Sequence, residues 1–224
     1  MSLQLDDFLI TGRTFEEYVT FFDLNVETMK DMRVLDCPSG ASSFIAEAKR
    51  RGIAAQGCDI LYCYDHDALR LQGEKSIEKI YADTSWMADN NFDFYHSIEK
   101  HKEHRTGALE AFYADYNTTD YWFAELPKLP YRDDSFDLVL SSHLLFVYDD
   151  RLNEAFHETS ITEMLRIGKE VRIFPLVDYK NSRVYELDNL SPFVYRISEK
   201  FGGEIVKVGF EFQKNAGYML KIKR

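Results

Sequence analysis

The sequence predicts an α/β domain built on a doubly wound, mostly parallel sheet of seven strands, and three observations predict it. Short apolar runs that read as strands alternate with helix-length amphipathic segments over most of the chain. The first two runs, Arg33 to Cys37 and Ile53 to Ile60, are separated by one such segment, the spacing of a right-handed parallel crossover. The last two runs, Glu204 to Phe212 and Tyr218 to Lys223, are joined only by Gln213 to Gly217, which is too short for a parallel return, so they pair antiparallel.

The elements follow in order. Residues 1–32 read as a helical segment in which Thr14 caps a turn carrying Phe15, Tyr18, Val19 and Phe22 at helical spacing. The first strand stops at Pro38-Ser39-Gly40, and Phe44 to Arg51 is a helix ended by Gly52. After the second strand, residues 65–84 form another helix. Residues 85–118 are aromatic, charged and helix-prone, and are longer than the usual connection of about 4 to 6 residues; they are expected to form an inserted helical cap. Tyr121 to Ala124 and Phe136 to Ser142 are strands on either side of a Pro-punctuated loop. Leu152 to Arg166 is a helix, Val171 to Phe174 a strand, and Pro192 to Phe201 a helix closed by Gly202-Gly203. All 224 residues are expected to form one domain.

Composition narrows the functional classes. An apolar content of 45%, with 17 Phe and 14 Tyr, suffices for a full core. The net charge of -11 repels a phosphate polyanion, and the densest basic stretches, Lys49 to Arg51 and Lys221 to Arg224, are short. Nucleic acid is therefore not an expected partner. Neither is a membrane, because no apolar run approaches the roughly 18 residues of a span. Cys37, Cys58 and Cys63 are odd in number and lack metal-ligand spacing, which points to a reducing cytoplasm.

Three features share the carboxyl edge of the expected sheet, where open α/β folds bind ligands. Val34-Leu35-Asp36-Cys37-Pro38-Ser39-Gly40-Ala41-Ser42 contains a glycine that lets main-chain N–H groups approach a ligand beside a helix start. Asp59 closes the second strand, followed by Ile60, and its carboxylate can accept two hydrogen bonds from a ribose diol. Glu125 and Leu126 follow the third strand and lead into Leu129-Pro130-Tyr131-Arg132-Asp133-Asp134-Ser135-Phe136-Asp137.

At these residues the chain resembles the class I S-adenosylmethionine-dependent methyltransferases, especially the branch of ubiquinone and menaquinone biosynthesis. That family has D-x-G-x-G-x-G after the first strand, an acid ending the second, and G-D-A-x-x-L-P-F-x-D-x-S-F-D-x-V before the fourth; here the last block reads AELPKLPYRDDSFDLVL. The resemblance covers roughly residues 33–224. It implies a Rossmann-like methyltransferase fold and S-adenosylmethionine as cofactor. It places the ribose at Asp59 and Ile60, the adenine at Glu125 and the Leu126 N–H, and the methionine portion along Asp36, Pro38, Ser39, Gly40 and Ser42 to Ser141 and Ser142. His143 is the candidate proton acceptor, since imidazole titrates near neutral pH. The chain departs from the family where Pro38 and Ser42 replace the first and third glycines. Pro38 has no N–H and a φ fixed near about −65°.

The expected activity is methyl transfer to a small-molecule acceptor. Two other readings stand beside it: a nicotinamide-dependent oxidoreductase, whose fingerprint requires more glycines than Gly40, and a non-catalytic relative of the fold, which Pro38 and Ser42 suggest. His96, His101 and His104, set among Glu99, Lys100, Lys102, Glu103 and Arg105, read as an exposed helix face and not a metal site. Cys37 reads as a small buried apolar residue. Of Tyr18, Phe22, Trp86, Phe94, Tyr95, Phe112 and Tyr116, most are expected in the core and some in an acceptor pocket.

Overall fold

The computed structural model describes residues 9–83, 90–117, 119–148, 151–177, 190–213 and 216–224. Trp86, one of the aromatic residues singled out above, lies outside these described residues, as do both ends of the expected cap.

The first strand, β1 (Arg33–Asp36), pairs in parallel with β2 (Ala54–Asp59) and with β4 (Phe136–Ser142). Strand β3 (Tyr121–Phe123) adds to β2, and β5 (Gly168–Phe174) adds to β4, all parallel. Strand β7 (Tyr218–Lys223) then runs antiparallel between β5 and β6 (Glu204–Lys207). The order is β3-β2-β1-β4-β5-β7-β6, a seven-stranded sheet of Rossmann-like methyltransferase architecture. Order reverses between β1 and β4, which opens a crevice at their carboxyl ends.

Alternation along the strands divides the core. Val34, Leu138 and Leu140 face a cluster that includes Phe15 and Tyr18 of α1 (Phe15–Phe21), Phe44 and Ile45 of α3 (Phe44–Arg50), Ile77 of α4 (His66–Ala82), and Leu109 and Phe112 of α5 (Ile98–Asp115). Leu35, Val139, Val171 and Ile173 face Ile161 and Met164 of α6 (Glu154–Ile167) and Val194 and Ile197 of α7 (Pro192–Phe201). Helices thus cover both faces, as buried parallel strands require. A short helix, α2 (Val26–Met29), links α1 to β1.

Local signals set the boundaries. Thr14 caps α1 in a reciprocal box: its side chain accepts the Glu17 N–H at 3.2 Å, and Glu17 accepts the Thr14 N–H at 2.7 Å. Asp65 caps α4 and Asn153 caps α6. Helix α7 begins with Ser191-Pro192 and ends on Gly202 at φ 62°.

Three expectations change. Strand β6 ends at Lys207 instead of 212: after Val208 pairs with Gly217 the chain leaves the sheet, and Phe210 turns inward against Phe21 and Phe174. Within the expected cap, α5 is part of the layer beside the sheet. Its stripe of His101, Arg105, Leu109 and Phe112, spaced by four, four and three residues, points inward, so His101 and Arg105 are buried and not on an exposed face. Among the described residues the crossover from β2 to β3 accordingly carries two α-helices, α4 and α5, which pack against each other.

Candidate active site

A cavity of about 860 Å³ opens at the carboxyl edge of the sheet, within the usual range for small-molecule sites. Pro38, Ser39, Gly40, Ser42, Asp59, Ile60, Glu125, Leu126, Ser142 and His143 all line it. Loops after β1, β2, β3 and β4 therefore meet around one hollow.

The turn after β1 is held from several sides. Gly40 has φ 56°, and a Cβ built there would meet nothing within 4 Å, so the backbone faces open space that a ligand can enter. Its N–H donates to Asp59 Oδ2 at 2.7 Å, and its carbonyl accepts the Tyr62 hydroxyl at 2.7 Å. Asp59 also accepts the Leu61 N–H at 2.9 Å. Burial pushes the Asp59 pKa up to about 6 against these donors. This carboxylate thus fixes the glycine turn and forms part of the cavity wall. Glu125 is exposed at the rim and Leu126 is buried beside it.

Asp36 lies beneath the turn, fully buried, and is not among the lining residues. It accepts Ser39 Oγ at 2.7 Å and the Tyr18 hydroxyl at 2.9 and 3.1 Å. Burial pushes its pKa up to about 8; Ser39 and Tyr18 pull it down, and the Asp59 charge adds to the rise. Its role is to support the turn from below. Ser42 is buried, and its Oγ accepts the Phe44 N–H at 3.0 Å just where α3 begins.

Ser141 does not reach the cavity. It is buried on β4 one residue from Ser142, and successive strand residues point to opposite faces. His143 lines the cavity at φ 55°, with Nδ1 2.7 Å from Ser142 Oγ. Burial, then the charges of Arg13 and Arg105, hold its pKa well below the ordinary histidine value. The imidazole is therefore neutral at neutral pH and is a weaker base than its sequence position suggests.

Tyr18 and Tyr95, two of the aromatic residues expected in the core or an acceptor pocket, line the cavity, and so do Phe21 of α1, Arg105 of α5, Arg13 and Phe210, which carried no sequence signal. Behind them Glu17 pairs with Arg105, whose guanidinium also donates to the Gly12 carbonyl and, at 2.8 Å, to the Tyr95 hydroxyl. Burial alone raises the Glu17 pKa, but Arg105, then Arg13, the Thr14 N–H and Tyr95 bring it down to about 2. Only the fold brings residues 13, 17, 95 and 105 together. Of the other aromatic residues, Phe22 and Phe112 are core, while Phe94 and Tyr116 pack partly buried against it. Cys37 is buried in the cavity wall; its neighbour Cys58, together with burial, pushes its thiol pKa up.

No protein-family model matches the chain. The uncharacterized protein MJ0045 of Methanocaldococcus jannaschii is 31% identical over 226 residues, covering 99% of each chain. The chain belongs to that protein's family. A structural likeness exists to a SAM-dependent methyltransferase from Aquifex aeolicus, at 13% identity and a TM-score of 0.40, over 99% of this chain and 97% of the other. The PH0226 protein of Pyrococcus horikoshii OT3 is similar at 13% identity and a TM-score of 0.45, over 93% and 97%. The fold of the family rests on the strand order, not on these distant likenesses. Among the described residues no helix is long and apolar enough to cross a membrane.

Proposed function

We propose that the protein catalyses S-adenosylmethionine-dependent methyl transfer to a small-molecule acceptor by in-line displacement. The observation that carries this reading is the meeting of Gly40, Asp59, Glu125 and Leu126, distant in sequence, around one open cavity beside His143.

When bound, S-adenosylmethionine supplies an electrophilic methyl group on a sulfonium with a good leaving group. The chain's own contribution is position. Asp59 accepts the ribose hydroxyls, the Leu126 N–H and Glu125 meet the adenine, and Gly40 gives the backbone its close approach. Holding an acceptor atom in line contributes a large share of the rate in such a displacement, and a strong base is not required. His143 then acts as a neutral hydrogen-bond partner that orients the acceptor and can take its proton late in the reaction.

The oxidoreductase reading is less well supported, because dinucleotide-binding sheets of this kind carry a G-x-G-x-x-G turn and a parallel sixth strand. Here the turn holds one glycine, and the sheet closes on an antiparallel hairpin. A non-catalytic relative is expected to have filled this crevice, whereas the space over Gly40 is open. Calorimetric titration with S-adenosylhomocysteine tests the proposal: saturable binding is expected, and no heat at high micromolar ligand overturns it. Incubation with a metabolite extract and labelled donor, read by mass spectrometry, then names the acceptor.

A further inference from the structure

His143 stands in the cavity wall among aromatic rings. Its imidazole centroid is 5.3 Å from that of Phe21 and 5.7 Å from that of Phe174. Phe21 in turn stacks on Phe174 at 4.6 Å and meets Phe210 edge-on at 4.6 Å, and these residues all line the cavity. A wall of this kind takes a flat apolar body, and the few polar groups set in it fix how that body lies.

The fold holds the imidazole there against local preference. His143 has φ 55°, and its N–H donates to the Phe174 carbonyl at 2.8 Å. In a residue other than glycine such a backbone persists only where its surroundings over-determine it, and it clusters at ligand sites. The two ring nitrogens differ. Nδ1 lies 2.7 Å from Ser142 Oγ, whereas Nε2 has no hydrogen-bond partner among the described residues and is not one of the buried atoms, so it opens on the cavity. When Nδ1–H donates to Ser142, Nε2 offers a lone pair, the state that accepts a hydrogen bond from a hydroxyl.

Resting on the methyl-transfer reading above, we propose that the acceptor is a phenol, its ring against Phe21, Phe174 and Phe210 and its hydroxyl donating to His143 Nε2. An amine carries a free lone pair, but a hydroxyl becomes a better nucleophile when a base holds its proton. The phenolic oxygen bonds to the methyl carbon as the carbon–sulfur bond of the donor breaks, and the sulfur keeps that bonding pair. The O–H pair stays on oxygen and the proton passes to Nε2. The products are an aryl methyl ether, S-adenosylhomocysteine and an imidazolium that returns its proton to water. An oxygen gaining a third bond is strongly acidic, so a weak base in this place suffices.

Phenol, its methyl ether anisole and the saturated alcohol cyclohexanol serve as probes, followed by ligand-observed NMR of the full chain with and without saturating S-adenosylhomocysteine. Phenol is expected to bind at least about fivefold more tightly than either, since anisole lacks the donor and cyclohexanol the flat ring. In protein carrying 15N-histidine, the His143 Nε2 signal should move on adding phenol and hold its position with anisole. His143→Phe assigns that signal and should remove the preference for phenol over anisole. Equal binding of phenol and either other probe by the wild type overturns the proposal whether or not the variant folds. So does an Nε2 signal that ignores phenol, or a folded His143→Phe protein that keeps the preference. Absence of S-adenosylhomocysteine binding by the wild type strikes the methyl-transfer reading instead, and is scored separately from the probe comparison made without it.

Discussion

The Tyr18 hydroxyl donates to both carboxylate oxygens of Asp36, at 2.9 and 3.1 Å, and so ties helix α1 to the end of strand β1 directly under the glycine turn. Tyr18 also stacks on Phe44 at 4.6 Å, so one side chain joins the N-terminal helix, the first strand and the first crossover helix. Replacing it by phenylalanine keeps the ring and removes the donor, leaving Asp36 with Ser39 as its side-chain donor. Tyr18→Phe is expected to cost about 1–3 kcal/mol in urea denaturation, because a buried acceptor loses its partner. It should also weaken S-adenosylhomocysteine, since the turn above loses support.

Asp36 sets a pH dependence opposite to that of ordinary acids. Its pKa is about 8 in the fold against 3.8 when unfolded, so between these values the native state holds a proton that the unfolded state has released. Stability from this group is therefore present at low pH and is lost as pH rises from about 4 to about 8. Asp36→Asn is expected to flatten that decline, by up to about 1.4 kcal/mol per pH unit inside the window. Melting curves across the range check it.

Glu17 runs the other way. With a pKa of about 2 in the fold against 4.5 unfolded, its contribution is complete above 4.5 and disappears as pH falls toward 2. Glu17→Gln leaves Arg105 charged and buried, and is expected to cost about 3–5 kcal/mol. A paired apolar replacement, Glu17→Leu with Arg105→Met, should recover part of the loss if the buried charge is the cause. Chemical denaturation of the wild type and the two variants separates these terms.

Gly40 occupies the left-handed region with open space beyond its Cα. An alanine there fits sterically but is strained by about 1–2 kcal/mol. Its methyl group enters space reserved for ligand, so Gly40→Ala should lower the melting temperature modestly and reduce S-adenosylhomocysteine affinity at least tenfold.

Asp59 has a pKa of about 6, so its carboxylate loses charge as pH falls through that value. Affinity for a diol-bearing ligand should fall with it, and Asp59→Asn should bind weakly and without that pH step. Calorimetry on either side of pH 6 measures both.

Much of the site was legible because it depends on local chemistry at strand ends. Asp59 and Gly40 are read from a strand that stops and a turn that needs positive φ, and Glu125 with Leu126 from the block around LPYRDDSFD. Ser141 and Ser142 were both expected at the site, and alternation along β4 brings Ser142 and not Ser141 to the cavity. Arg105 was misread for a similar reason. Its charged neighbours suggested a solvated face, while the inward stripe of α5 carries it to the core, where Glu17, far away in sequence, offsets its charge.

The sequence by itself determined the order of strands and helices, the antiparallel ending and the turn chemistry at the sheet edge. These follow from periodicity, capping and chain length, which are properties of neighbouring residues. Only the tertiary structure decided which side chains enclose the cavity: Arg13, Tyr18, Tyr95 and Arg105 line it and Glu17 holds Arg105 from behind, through burial and charge across long sequence separations. Those energies exist only once water is excluded, and water is excluded only by the packed fold.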